Sequence, residues 1–510
     1  MTSDTQNGAA RSGGGEEEST QANGKVNPST EEGDAAETMV ANGNGKQAGD
    51  TVPPPRAPAP ATQPYEEMLR STAYQRLRAE HPAEFAPASV FFTHDPRSAI
   101  DRRNSFRVKA ALVYEAVTGQ HDQDHMQRAN GLLLALAAEC HARIRGQAGV
   151  GADGSQGGGG PPAGEPSDEG WDESRKRVVD GIFLVVGFLP KLKEAIATSS
   201  DRDGVDSSFR SHLMHDIVTD VIKLENQLPL RDLRAVARHV EGAVREVVAR
   251  AEFHDVKRSM RGEYKLGVTE QNLGEVIHGF CWYYSPFATR KSAGAPPADA
   301  DSPWSGVAAT DAEMEARTLL DCLHMSVTTR PGKGTDRATG RSSRMPAARE
   351  LRRSGVRLQA SEDGRAEVRF EQSSTVRLPA LVYDFKLATV ARNLLAREYE
   401  EQSKPITRYF QMMNEIVEDV ADVRILRRAG VVRGGSRGAQ EVHELIKNID
   451  GYATYPSVFV AMDREIEKVR KYHDQRMASF FVRNRPGVIW ASSVAAISVV
   501  AIVAARRNRG

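Results

Sequence analysis

The sequence is poor in cysteine and in aromatic residues, and it has no net charge. Its three cysteines, Cys140, Cys281 and Cys322, support neither a disulfide framework nor a zinc knuckle. The 68 Lys and Arg are balanced by 68 Asp and Glu, which excludes a strongly basic nucleic-acid binder as a reading of the whole chain. No basic stretch leading into an apolar run stands at the N-terminus, so no secretory signal is expected. No His-Glu-x-x-His motif occurs. What remains is a 510-residue chain, 40% hydrophobic, long enough for a sizeable core.

The two ends differ. Residues 1–64 are Gly, Ser, Thr, Asn, Glu, Ala and Pro with almost no bulky apolar side chain, so burial cannot offset their ordering entropy. They read as a disordered segment that ends in a proline-rich spacer, Pro53 to Pro60. Val488 to Ala505, by contrast, contains no Asp, Glu, Lys or Arg. As a helix it would span about 27 Å, close to the ~30 Å hydrocarbon core of a bilayer. Arginines flank it, and Trp490 sits near one end, where an indole favours the membrane interface. It reads as a transmembrane helix, a single-pass C-terminal anchor in the plasma membrane or an endomembrane. Val488, Trp490, Ile497, Val500, Ile502 and Ala505 are its apolar anchor residues and the lipid bilayer is its partner. The alternative is a buried last helix of a soluble helical scaffold.

Residues 65–481 carry mostly the helical period. One stripe runs from Ile406 through Tyr409, Phe410, Met413, Ile416, Val417 and Val420 to Val423, with Gly430 as the stop. A second runs from Leu233 to Val247, a third from Phe459 to Tyr472 and a fourth from Leu132 to Cys140. Around 355–380 the period becomes two, with a Ser361-Glu362-Asp363-Gly364 turn, which reads as a small antiparallel hairpin or three-strand meander. The expected fold is mainly α, a multi-helix domain with that small β element, plus the C-terminal span. Residues 149–169, 292–305 and 330–344 read as disordered insertions.

Candidate chemistry is sparse. His121 and His125 read as part of a solvated loop or helix start rather than a metal pair. His212 and His215 precede an apolar helix in which Asp216 suits the first turn, as a cap or against the dipole. Gly149–Gly154 and Gly434–Gly438 match a dinucleotide loop and a nucleophile elbow by letter only, because neither has the required strand before it. No catalytic, cofactor or metal residues are assigned. A membrane-associated enzyme of unrecognised type stays the second reading, and it would need a pocket with convergent titratable groups.

Leu224-Glu225-Asn226-Gln227-Leu228-Pro229 ends an apolar helical stretch with three polar side chains before a proline. Proline disfavours helix at Leu228, so the chain should turn there, with Glu225, Asn226 and Gln227 satisfying backbone groups. The phrase resembles the signature of a plant-specific family, "domain of unknown function 247". Val179 to Leu184, including Asp180 and Gly181, looks like its Asp-Gly-Cys-Phe segment. Ala348 to Val356 is similar to its Ala-x-Glu-Leu-x-x-Ala-Gly-Val element, and Arg392 to Glu398, opening Arg392-Asn393, resembles its Arg-Asn-Leu-x-Ala-x-Glu helix. The likeness runs from about Glu84 to Ala505. It departs early, where Phe92-Thr93-His94-Asp95-Pro96 replaces a Gly-Pro-Tyr-His-His-Gly stretch. The resemblance implies plant proteins with one C-terminal span and no agreed enzymatic activity, some of whose grass members act in pollen self-incompatibility. It tilts the expected function toward membrane-displayed recognition of an unknown protein partner, with no nucleic acid. The expected interface is a helical face or the hairpin edge.

Overall fold

The computed structural model describes residues 69–92, 99–120, 126–148, 172–260, 266–289, 317–328, 343–372, 374–399, 401, 403–434, 438–449, 461–479 and 498. The segments read as disordered, 1–64, 149–169 and 292–305, lie outside them, as does 330–344 except for Ser343 and Arg344. His121 to His125 and Gly149–Gly154 lie outside them as well.

The N-terminal half is helical. Its elements are α1 (Thr72–Glu80), α2 (Pro82–Phe85), α3 (Ala99–Thr118), α4 (Met126–Ala148), α5 (Glu173–Ile182), α6 (Leu189–Thr198), α7 (Arg202–Ser208), α8 (His212–Ile222), α9 (Leu230–Ala249) and α10 (His254–Ser259). The stripe from Leu233 to Val247 is the inner face of α9, and every stripe residue is buried. It packs on α4 and α5, and α4 packs in turn on α3. Leu132, Leu133, Leu136, Ala137 and Cys140 of α4 are fully enclosed. Each such Leu or Val contributes roughly 1.5–3 kcal/mol relative to exposure.

Between α5 and α6 the helix widens into a π-helical stretch, Phe183–Phe188, all of it buried. Pro190 follows in the first turn of α6. Proline has no N–H and its ring crowds the carbonyl four residues back, so the widened register relieves both problems. Gly181 lies just upstream, where α5 meets α9. A Cβ there would stand 2.7 Å from Cγ2 of Val236, so only glycine permits this approach.

The C-terminal half mixes helices with small sheets. It runs α11 (Leu273–Tyr284), α12 (Leu319–Val327), α13 (Ala348–Arg353), β1 (Arg357–Ser361), β2 (Arg369–Glu371), β3 (Thr375–Pro379), β4 (Leu381–Val382), α14 (Leu387–Arg397), α15 (Pro405–Ile416), α16 (Val420–Arg428), β5 (Val432–Arg433), α17 (Ala439–Ile449) and a helix over 461–479, α18. The long stripe from Ile406 to Val423 is two helices rather than one. Asp419 caps α16 by accepting from Ala421 N and Asp422 N, while Asp422 accepts from the backbone N–H groups of Glu418 and Asp419. This reciprocal cap stops α15 and restarts the helix.

The β element is not a meander. β3 lies between β1 and β2, parallel to β1 and antiparallel to β2. The antiparallel hairpin is β2–β3, turned by Ser374 at φ 63°. After β1 the chain dives inward instead of reversing: Ala366 N donates to the Val327 carbonyl, and Ala366 and Val368 are buried. Gly364 sits at φ 71°, where a Cβ would lie 1.9 Å from Cγ2 of Thr289.

The expected membrane span is overturned. Among the described residues no helix is long and apolar enough to cross a membrane. Val488, Trp490, Ile497, Val500, Ile502 and Ala505 lie outside them, and of the stretch 488–505 only Ser498 is described. That expectation rested on missing charge more than on bulk, since half of those positions are alanine or serine, which offer lipid little apolar surface. Single-pass anchoring and the bilayer partner are withdrawn with it.

Candidate functional site

The family-like motifs converge on one polar hub inside the helical body. The last turn of α8 carries Asp220, fully buried, whose carboxylate accepts from the N–H groups of Ala88, Ser89 and Val90 at 2.8, 2.7 and 2.9 Å. The Lys223 ammonium pairs with it at 3.0 Å and donates to the Ala86 carbonyl at 2.8 Å. Asn226 accepts from Phe92 N at 3.0 Å and donates to the carbonyls of Val90 and Asp220. Segment 86–92, which pairs with no strand, therefore finds its backbone partners on α8, on the turn after it and on α3.

The other motif residues extend the hub. Gln227 donates to the carbonyls of Val221 and Lys223 and accepts from Leu320 N at the start of α12. Leu224 is buried, and its N–H donates to Asn393 Oδ1 at 2.7 Å. Asn393 donates in turn to the carbonyls of Glu84 and Thr389. Arg392 lies 3.7 Å from the Glu84 carboxylate. Glu225 departs from the expected backbone role: it takes Tyr74 Oη at 3.1 Å and the Arg78 guanidinium, tying α1 down. Pro229 opens α9 as its N-cap residue. Asp180 forms a buried pair with Lys109 at 2.6 Å, and the same ammonium reaches the Phe91 carbonyl.

The hub thus joins α1, the 82–92 segment, α3, α5, α8, α12 and α14, and its charges occur in opposed pairs. Its polar atoms are spent on the chain itself, so its chemistry is cohesion. Asp220, Lys223 and Lys109 were not singled out from sequence. The available signal was charged residues embedded in apolar helical stretches, which are seldom buried unless paired.

A second cluster reaches the surface. Asp206 on α7 accepts from Tyr283 Oη at 2.6 Å and lies 3.3 Å from Lys386 Nζ. Asp384 pairs with the same ammonium at 2.6 Å. Lys386 Nζ stands 4.2 Å from the Tyr283 ring centre and 5.3 Å from that of Phe385. Arg202 donates to the carbonyls of Ser285 and Phe287 at 2.6 and 2.8 Å. Burial, ahead of its neighbouring charges, pushes the Asp206 carboxyl up, and it pushes the Tyr283 phenol up too. Burial also lowers Arg202 to about 10. The Lys386 side chain is 2% exposed, so its ammonium serves as a clamp rather than a group open to solvent.

Above this clamp, Phe385 stands 40% exposed. Its ring stacks on His215 with centroids 4.5 Å apart. His215 is half-buried in the first turn of α8. Ser211 caps that helix by accepting from Met214 N, so Asp216 is not the cap; its carboxylate lies 3.3 Å from Ser89 Oγ. The sequence gives no periodic signal for Phe385, which sits in the short link between β4 and α14.

The fold and hub define a mainly helical domain organised around its own signature turn. Residues 177–504 match the family model DUF247, described as plant protein of unknown function, and the chain belongs to that family. It is also similar to a putative UPF0481 protein of Arabidopsis thaliana, 32% identical over 136 residues, which is 26% of each chain. The match thus spans about a quarter of that curated relative's length. No solved structure matches.

Proposed function

We propose that this chain is a protein-recognition module and that the Phe385 surface is a docking site for a partner protein. The observation that carries this reading is an exposed aromatic ring held in place before any partner arrives. His215 stacks on one side of Phe385, and Lys386, fixed by Asp206 and Asp384, holds the ring from below. A pre-ordered ring loses little conformational entropy on binding. Aromatic anchors ringed by polar groups are the usual centres of interface energy. The occupant is an apolar side chain of another protein, seated against Phe385.

The test is quantitative co-purification from plant tissue with wild-type chain, Phe385→Ala, and Ile100→Ala as a control at another exposed apolar position. The reading expects a defined set of proteins to be lost with Phe385→Ala, at an unchanged melting temperature, and kept with Ile100→Ala. Retention of the same set at the same yield by Phe385→Ala overturns it.

A further inference from the structure

We infer that the outer edge of β1 binds an extended acidic peptide segment of a partner protein as an added strand. The site is separate from the Phe385 surface and does not depend on that reading. β1 and β2 are the edges of the three-stranded sheet. The β2 edge is covered: Phe370 N donates to Glu465 on α18 at 2.8 Å, and Ser374 Oγ donates to Tyr472 Oη at 2.7 Å.

The β1 edge is not treated that way. Arg357 N donates to the Ser374 carbonyl, and the Ser361 carbonyl accepts from Ala380 N. In a parallel ladder this phase points the backbone groups of Arg357, Gln359 and Ser361 at β3. Those of Leu358 and Ala360 then point away from the sheet. Among the described residues no hydrogen bond reaches the backbone N–H of either. Natural edges are commonly blunted by proline, inward charges or a covering element. β1 has no proline, and its inward residues, Leu358 and Ala360, are apolar.

Charge selects the occupant. Arg352 and Arg353 end α13 just before the strand, Arg357 begins it, and all three are exposed. The register places Arg377 of β3 on the same face as Arg357, and Arg369 of β2 directly opposite Arg377. Two arginines facing each other across strands are destabilising unless offset, and here Glu371 and Glu367 offset them at 2.5 and 2.8 Å. Arg352, Arg353 and Arg357 have no carboxylate within ion-pair distance among the described residues. A strand added to β1 would gain main-chain hydrogen bonds from Leu358 and Ala360, and its acidic side chains would meet these guanidinium groups.

The experiment uses the full chain and fluorescein-labelled hexapeptides of alternating glutamate and valine, or of alternating lysine and valine, read by fluorescence anisotropy. The glutamate peptide should bind, with salt weakening it, and the lysine peptide should not. Ala360→Pro removes an outward N–H while leaving the β1–β3 ladder intact, and it should abolish binding. Arg353→Glu with Arg357→Glu changes only exposed side chains and should weaken binding by at least about tenfold. The inference is overturned by absence of binding, by equal binding of both peptides, or by full binding to either variant at an unchanged melting temperature. Self-association of the chain that Ala360→Pro removes, without peptide binding, assigns the edge to a second copy instead and also overturns it.

Discussion

Replacing Asp220 by alanine should remove a large share of the stability of the domain. The carboxylate serves three backbone N–H groups of residues 88–90 and the Lys223 ammonium, all in a buried setting. A buried N–H without an acceptor costs about 1–3 kcal/mol. Orphaning a buried charge by removing its partner costs about 3–5 kcal/mol. Water entering the vacated space recovers part of this sum, so a loss of about 4–6 kcal/mol is expected, against a total of roughly 5–15 kcal/mol for a typical domain. Asp220→Asn keeps one acceptor oxygen and should lose about half as much. Asp216→Ala, one turn earlier and partly exposed, should stay within about 1 kcal/mol. Urea unfolding followed by far-ultraviolet circular dichroism reads all three. An Asp220→Ala variant no less stable than Asp216→Ala would refute the idea that this carboxylate anchors segment 86–92.

Other consequences follow from the same geometry. Gly181→Ala places a methyl 2.7 Å from Val236 Cγ2 and should cost about 1–3 kcal/mol, much of it restored by adding Val236→Ala; an additive double mutant contradicts this. The native chain should resist iodoacetamide near the ordinary thiol pKa of about 8.5, because burial holds Cys140 and Cys281 up at about 12 and raises Cys322 as well. Mass spectrometry should find all three alkylated only after unfolding. Asp206 has a folded pKa above its unfolded value, so its contribution to stability grows as pH falls through the folded value and is complete below the unfolded one. The stability of wild type relative to Asp206→Asn should therefore increase from neutral pH toward about pH 4, and a gap that moves the other way contradicts the assignment.

Sequence reading reached the elements whose causes are local. The stripe in α9 is visible because one helical face meets α4 and α5 along its whole length. The turn at Leu224–Pro229 is visible because proline restricts the residue before it. Long-range pairing was not visible. That Asn226 serves Phe92, and Gln227 serves Leu320, depends on which distant segment docks at the turn, and nothing local specifies it. The order β1-β3-β2 was missed for the same reason: alternation marks strands but does not say which strand lies in the middle. The split between α15 and α16 was legible after all, in the Asp419-x-x-Asp422 spacing that an unbroken apolar stripe overshadowed. Phe385 carries no pattern, since a single exposed ring becomes informative only when its stacking partner and its clamp are in view.

The central claim is that the signature turn binds its own chain and thereby fixes a segment without regular structure. Native-state hydrogen exchange on the full chain tests it most directly, through the amides of Ala88, Ser89, Val90, Phe92 and Leu224. The account expects these loop amides to exchange as slowly as those in the middle of α9, opening only with the whole domain. Exchange at the rate of an exposed loop, while α9 stays protected, would contradict it.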